Sequence, residues 1–290
     1  MKKLGTGLLA IAAIFTLVAC GSKQTETKQT SEKGKPTKIV VGSQGGDAEI
    51  WKFIAKSDLA KQADVQIEVK EIDGGPQLNS ATADGTVTVN AFQSLGYLVS
   101  FNKESKEKLI PIATTYMEPM GIYSSKYKKV SELPEKAVIA LADNPANTAR
   151  GLRLLEAAGL ITLKSDFNNG TGTPADIKDN PQKLTFKLID DTTGPRILPD
   201  VDAALISNTV AFEGGLNVLK DSLYKEKIDP NTKTSINVLV TTQAHKNDQA
   251  LKKLADLYHS DEVKQFIADK FGGTKVEVKE PIDALWKDVQ

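Results

Sequence analysis

The sequence predicts an α/β protein in which helices cover mainly parallel sheets. Two observations carry this. Short apolar runs of strand length recur along the chain, and segments with apolar residues at helical spacing fall between them. That alternation is the pattern of parallel strands joined by helical crossovers. A third observation sets the scale: 290 residues exceed what one hydrophobic core usually holds, so two domains are expected.

The first residues concern location. Lys2 and Lys3 precede an uncharged apolar stretch, Leu4 to Val18, which is too short to span a membrane comfortably and ends in small residues. Leu17-Val18-Ala19-Cys20 then resembles the lipobox of bacterial lipoproteins. The resemblance implies removal of residues 1–19 as a signal peptide and a lipid, with its palmitate-type acyl chains, on Cys20. It implies anchoring to the cell membrane on the extracellular side. The alternative is an ordinary secretory signal followed by a chance cysteine. As Cys20 is the only cysteine, disulfides and cysteine metal clusters are excluded. Residues 20–37 are rich in Ser, Thr, Lys, Gln and Glu and read as a flexible tether.

The folded part is expected to begin with a buried strand at Lys38–Gly42. Gly45-Gly46-Asp47 then opens a helix that points Ile50, Phe53 and Ile54 inward. Val65, Ile67 and Val69 alternate with Gln66, Glu68 and Lys70, a half-buried strand. Further strand-like runs lie at Thr86–Phe92, Leu109–Thr115, Ala137–Ala142, Lys183–Ile189, Val201–Ser207 and Ile236–Thr242. After Ala142 comes D-N-P-A-N-T-A-R-G-L-R-L-L-E-A-A-G. Asn144 is a good N-cap and Pro145 suits the first helical position. Leu152, Leu155 and Ala158 share one face, and Gly159 ends the helix. Gln249 to Phe271 reads as two helices, the second capped by Ser260. Asn168–Gly172 reads as a surface loop.

The catalytic inventory is thin. His245 and His259 have no metal-spaced partner, and surface positions account for both. No nucleophile elbow or P-loop is present; Gly272-Gly273-Thr274-Lys275 lacks the spacing. Gly42-Ser43-Gln44-Gly45-Gly46 is either a tight turn or a backbone approach to a small ligand. Asp190-Asp191 reads as turn and cap chemistry. The 37 Lys and Arg residues balance 37 Asp and Glu, which gives no support for nucleic-acid binding. No enzyme, cofactor or metal is expected. Arg150 lies in the second turn after the Asn144 cap, where the helix N-terminus and a forked guanidinium both favour a carboxylate. From spacing alone, though, the ordinary reading is a solvated arginine.

Several segments together resemble the NlpA/MetQ family of lipid-anchored receptors of ABC importers. They are Ala83–Leu98, Phe101–Glu104, Tyr116–Ser124, Asp143–Arg150, Leu154–Lys164, Asp200–Ile206 and Tyr258–Ile267, in order along nearly the whole mature chain. The resemblance implies a type II periplasmic-binding-protein fold: two α/β lobes joined by a hinge, with the ligand in the cleft. Lobe 1 would comprise 38–120 plus 236–290, and lobe 2 would be 121–235. It implies a monomer that captures methionine, L- or D-, or a close relative and delivers it to permease and ATPase subunits. Arg150 would hold the ligand carboxylate, with Asn147 beside it and Asn237 on the ligand's polar end. Phe92, Gln93 and Tyr97 would line the side-chain pocket.

Three departures stand out. Where the family reads F-Q-H-x-P-Y, this chain has Phe92-Gln93-Ser94-Leu95-Gly96-Tyr97. Where it reads D-Y-x-Q-P-N, the chain has Gly74-Gly75-Pro76-Gln77-Leu78-Asn79. Where it reads I-N-x-x-Y-A, the chain has Ile206-Ser207-Asn208-Thr209-Val210-Ala211. Ser94 and Gly75 replace two rings, which enlarges the expected pocket and removes aromatic contact for a thioether. Ser207 replaces an ammonium contact, for which Asn208 is the nearby substitute. A short methionine-containing peptide or another amino acid is therefore the alternative ligand. A surface adhesin or interaction protein is the alternative from another functional class.

Overall fold

The computed structural model describes residues 36–227 and 230–289. The expected signal peptide, Cys20 and the tether up to residue 35 lie outside the described residues.

From the first strand, the chain runs β1 (Thr37–Ser43), α1 (Gly45–Lys56), α2 (Asp58–Gln62), β2 (Val65–Glu71), α3 (Gly75–Ala83), β3 (Val89–Ser94), α4 (Leu95–Glu104) and β4 (Leu109–Thr114). Two short strands follow, β5 (Tyr116–Met117) and β6 (Gly121–Tyr123). Next come β7 (Val138–Ala142), α5 (Pro145–Ala157), β8 (Thr162–Leu163), β9 (Ile177–Asp179), β10 (Thr185–Ile189), α6 (Gly194–Ile197), β11 (Ala203–Ile206), α7 (Asn208–Glu213) and β12 (Tyr224–Lys225). The chain closes with β13 (Asn237–Thr242), α8 (Gln249–Tyr258), α9 (Asp261–Phe271), β14 (Val276–Glu277) and α10 (Ile282–Val289).

These strands form two five-stranded sheets, ordered β2-β1-β3-β13-β4 and β10-β7-β11-β6-β12. Each begins with three parallel strands, as the sequence suggests. The fourth differs: β13 runs antiparallel to β3 and β4, and β6 antiparallel to β11 and β12. The expectation of mainly parallel sheets is thus corrected to mixed sheets of matching layout. In each, the reversed strand is the one at which the chain enters the sheet from the other sheet, so no helical crossover from a neighbouring strand sets it parallel.

Strand alternation gives each sheet two apolar faces. In β13, Leu239 packs with Ile39, Val41, Trp51 and Leu254 on one side, while Val238 and Val240 pack with Leu95, Leu98 and Leu285 on the other. In the second sheet, Ile139, Leu141 and Leu205 meet Leu152 and Leu155 of α5, while Ala140, Ala204 and Ile206 face Leu198 and Val218. Burial on both faces is why these strands read as continuous apolar runs. Trp51 and Met120 belong to this core.

The chain passes from the first sheet to the second through Glu118-Pro119-Met120 and returns between β12 and β13. Two local expectations fail. Ser260 stands at the N-cap of α9, yet its hydroxyl donates back to the Leu257 carbonyl at 2.8 Å, so it closes α8 instead. His259 is buried, with Nδ1 2.6 Å from Glu277 Oε1 and Nε2 2.9 Å from the Thr114 carbonyl, so only His245 is a surface histidine.

Candidate functional site

Helix α5 organises the site. Asn144 Oδ1 accepts from the Asn147 N–H at 2.9 Å, closing the N-terminus as its sequence indicates. Gly151 lets the helix lie close on the sheet: a Cβ there would stand 2.9 Å from Leu141 Cδ2 and 3.0 Å from Leu205 Cδ2. That close seat fixes Asn147 and Arg150, which line a cleft of about 600 Å³. Across it lie Ser94 and Gly96 at the start of α4, with Thr234 and Ser235. The volume suits a small-molecule ligand.

Arg150 is not the solvated arginine that its spacing alone describes; its side chain is 14% exposed. Its Nε donates to Glu226 Oε1 and Oε2, each at 3.1 Å, and its Nη2 to Glu226 Oε2 and, at 2.7 Å, to the Glu118 carbonyl. Glu226 Oε2 also accepts from the Met120 N–H at 3.1 Å. Asn147 Nδ2 donates to Asp191 Oδ2 at 3.0 Å, as does Asn144 Nδ2 at 2.8 Å. Burial pushes the Asp191 carboxyl above its ordinary range, against the pull of the Asn147 bond. Asp190 behaves as read from sequence, accepting from Thr192 as a cap.

The other nominated residues divide into separate groups. Phe92 and Tyr97 meet edge to face at 5.8 Å beside Gly75. A Cβ on Gly75 would stand 2.8 Å from Tyr97 Cζ and 2.9 Å from Phe92 Cε2, so this space is already occupied. The expected enlargement at Gly75 is corrected accordingly: the neighbouring rings fill it. Burial, followed by the nearby carboxylates Asp191 and Asp143, holds the Tyr97 phenol well above its usual range. Ser94 caps α4 by accepting from the Tyr97 N–H at 3.3 Å. The Gln93 amide bonds Asn79 and Asn90 in a buried network at 2.6–3.0 Å. Asn237 pairs with Ser94 in the β13–β3 register, next to a bulge at Val238–Leu239, and borders a small void with Phe92 and Trp51.

Ser207 is half-buried and makes no capping bond. Asn208 is buried and donates to Glu118 Oε2 at 2.8 Å and Thr274 Oγ1 at 3.1 Å. Its amide donor therefore belongs to an ionic cluster. At the centre of that cluster, Lys275 Nζ lies 3.0 Å from Asp47 Oδ1 and 2.9 Å from Glu118 Oε2, and 3.8 Å from the Tyr116 ring centroid. Burial pushes Asp47 up against the opposing pull of Lys275. Burial alone would raise Glu118 as well, but Lys275, Asn208 and Thr209 hold it below its ordinary range. Nearby, Glu213 of α7 accepts from the Gly46 N–H at 3.3 Å, so a carboxylate of the chain itself already meets the α1 N-terminus.

Sequence reasoning passed over Glu226, read Asp191 only as turn and cap chemistry, and met Lys275 only in a run that fails as a P-loop. Lys275 had a signal, a lone cation in an apolar and glycine-rich run, but its partner Asp47 lies 228 positions away. Among the described residues no metal-binding group of His, Cys, Asp and Glu occurs, and no helix is long and apolar enough to cross a membrane.

Comparison with known proteins follows the same lines. The sequence model of a family described as NlpA lipoprotein matches residues 39–279. The chain is 33% identical over 283 residues to the methionine-binding lipoprotein MetQ of Bacillus subtilis, covering 97% of this chain and 100% of that protein. Among solved structures, protein PG110 from Staphylococcus aureus aligns with a TM-score of 0.83 and 32% identity, over 87% of this chain and 100% of that one. The substrate-binding protein of a methionine transporter from Streptococcus pneumoniae aligns at 0.76 and 35% identity, over 83% and 95%.

Proposed function

Because the chain belongs to the NlpA lipoprotein family and carries the type II periplasmic-binding-protein fold, we propose that it is the solute receptor of an ABC importer. It takes methionine or a close relative from outside the cell and hands it to permease and ATPase subunits. It is a binding protein rather than an enzyme. Cys20 carries the lipid anchor, residues 38–120 with 236–290 form one lobe, and 121–235 form the other.

The observation that carries this reading is Arg150: a largely buried guanidinium on the second turn of α5, opening with Asn147 onto a cleft of about 600 Å³ between elements of both sheets. Backbone dipole and guanidinium together favour a ligand carboxylate. Asn147 and Ser94 line the same cleft; in this reading Asn237 adds a polar contact and Phe92 with Tyr97 the aromatic wall. A ligand that touches both lobes binds the closed arrangement more tightly and shifts the population towards it.

The test is thermal unfolding of the protein lacking residues 1–20, refolded to strip carried-over ligand. The panel holds L- and D-methionine, other amino acids and methionine dipeptides. A ligand that binds only the native state raises the midpoint. Methionine is expected to do so, and Arg150→Ala to abolish the effect, since an unpaired desolvated carboxylate is costly. No rise with any member, or an unchanged rise in Arg150→Ala, overturns the assignment.

A further inference from the structure

The Arg150–Glu226 pair has capacity to spare on both sides. Arg150 uses Nε and Nη2, while Nη1 makes no bond to any described residue. Glu226 Oε2 takes Arg150 and the Met120 N–H, whereas among the described residues Oε1 receives only Arg150 Nε at 3.1 Å. A carboxylate oxygen accepts about two hydrogen bonds, so Oε1 has room for another donor. Both groups line the cleft, and the Glu226 side chain is 15% exposed.

Charge balance then limits what enters. The pair is neutral as it stands, and so is the Arg153–Glu156 pair at 2.7 Å on the same wall; the remaining charged residue of the lining, Lys227, is exposed to solvent, which screens it. A ligand bearing only a carboxylate adds a net negative charge beside Glu226 in a partly desolvated cleft. A zwitterion adds none, and each of the four charges then has an opposite neighbour. Uncompensated charge in such a setting is costly.

We propose that Glu226 is a specificity-determining residue: it receives the ammonium group of a zwitterionic ligand whose carboxylate occupies the remaining donors of Arg150. The proposal rests on the solute-receptor reading and adds the group that selects a free amine.

The experiment is calorimetric titration of wild type, Glu226→Gln and Glu226→Asp with two probe pairs: L-methionine against N-acetyl-L-methionine, and glycyl-L-methionine against its N-acetyl form. Wild type is expected to favour the free-amine member of whichever pair it binds by more than tenfold. In Glu226→Gln that preference falls at least tenfold, mainly through weaker binding of the free amine, and Glu226→Asp keeps part of it. Equal weakening of both members would mean that Glu226 only orients Arg150, and overturns the inference. So does tighter binding of the free amine in Glu226→Gln, which would make Glu226 a competitor for Arg150. Binding by wild type with no amine preference overturns it too, while leaving the receptor reading intact. Absence of binding to every probe refutes both.

Discussion

Replacing Lys275 by Met tests the buried ionic cluster at the outgoing crossing of the fold. The ammonium is wholly buried, and the carboxylates of Asp47 and Glu118 beside it are 4% and 7% exposed. Met keeps the length and apolar stem of Lys, so the change removes charge with little change of shape. Two desolvated carboxylates are left without their cation, and Tyr116 Oη, donating to Asp47 at 2.6 Å, does not replace it. Breaking a buried pair from one side costs about 3–5 kcal/mol. At about 2–4 °C per kcal/mol for a chain of this size, the midpoint should fall by roughly 6–20 °C near neutral pH.

The pH dependence supplies a sign. Without Lys275, both carboxyls are held above their unfolded values, because burial is no longer opposed. A group raised on folding stabilises below its unfolded pKa and loses that contribution as pH rises. The deficit should therefore be largest at neutral pH and shrink as pH falls and the pair takes up protons. In the wild type the two carboxyls oppose each other, since Asp47 is raised and Glu118 lowered. The assay is thermal unfolding by circular dichroism between pH 5 and 8. Adding Asp47→Asn to Lys275→Met should recover part of the loss. A midpoint within about 2 °C of wild type at neutral pH, or a deficit that does not vary with pH, refutes the reasoning.

Other perturbations follow from the packing. Gly151→Ala drives a Cβ against Leu141 and Leu205, an overpacking that outweighs the gain in helix propensity; a net loss of about 1–2 kcal/mol is expected from urea midpoints. Gly75→Ala pushes on Tyr97 and Phe92 and should cost about 1–3 kcal/mol, with a smaller cost in a Tyr97→Leu background; the double-mutant cycle measures the coupling. Leu152→Ala opens a cavity between α5 and the second sheet and should cost about 2–5 kcal/mol by the same denaturation assay.

How far the sequence reaches is clearest along α5. Its cap, first-turn proline and terminal glycine are local signals, and each does in the fold what it does in the sequence. The start of β3 is less legible: it begins at Val89 rather than Thr86, because Asp84 caps a turn through the Thr86 N–H at 2.8 Å. The direction of β13 is not written in its apolar run, since a strand buried on both faces looks the same either way round. Helix α4 follows β3 with no intervening turn signal, and α3 is short and weakly amphipathic, so neither stands out. At the site, Arg150 is visible because its helix is. Glu226 is one acid between two exposed lysines, and only the fold brings it to Arg150 across 76 positions.

The two long-range ionic groups are linked by geometry. Glu118 lies on the outgoing crossing: its carboxylate serves the Lys275 cluster, while its carbonyl accepts from Arg150. Glu226 lies on the return crossing and holds the same guanidinium. Both chain crossings therefore end on Arg150. Rotation of one sheet against the other at these crossings must alter the partners of that guanidinium, and conversely a group bound there alters the energy of the rotation. Under the proposed function, Arg150 of α5 would both meet the ligand and sense the angle between the sheets. In a hinged receptor of the kind proposed, an arginine paired to the return crossing would keep its own charge balanced in the empty cleft and tie ligand capture to closure.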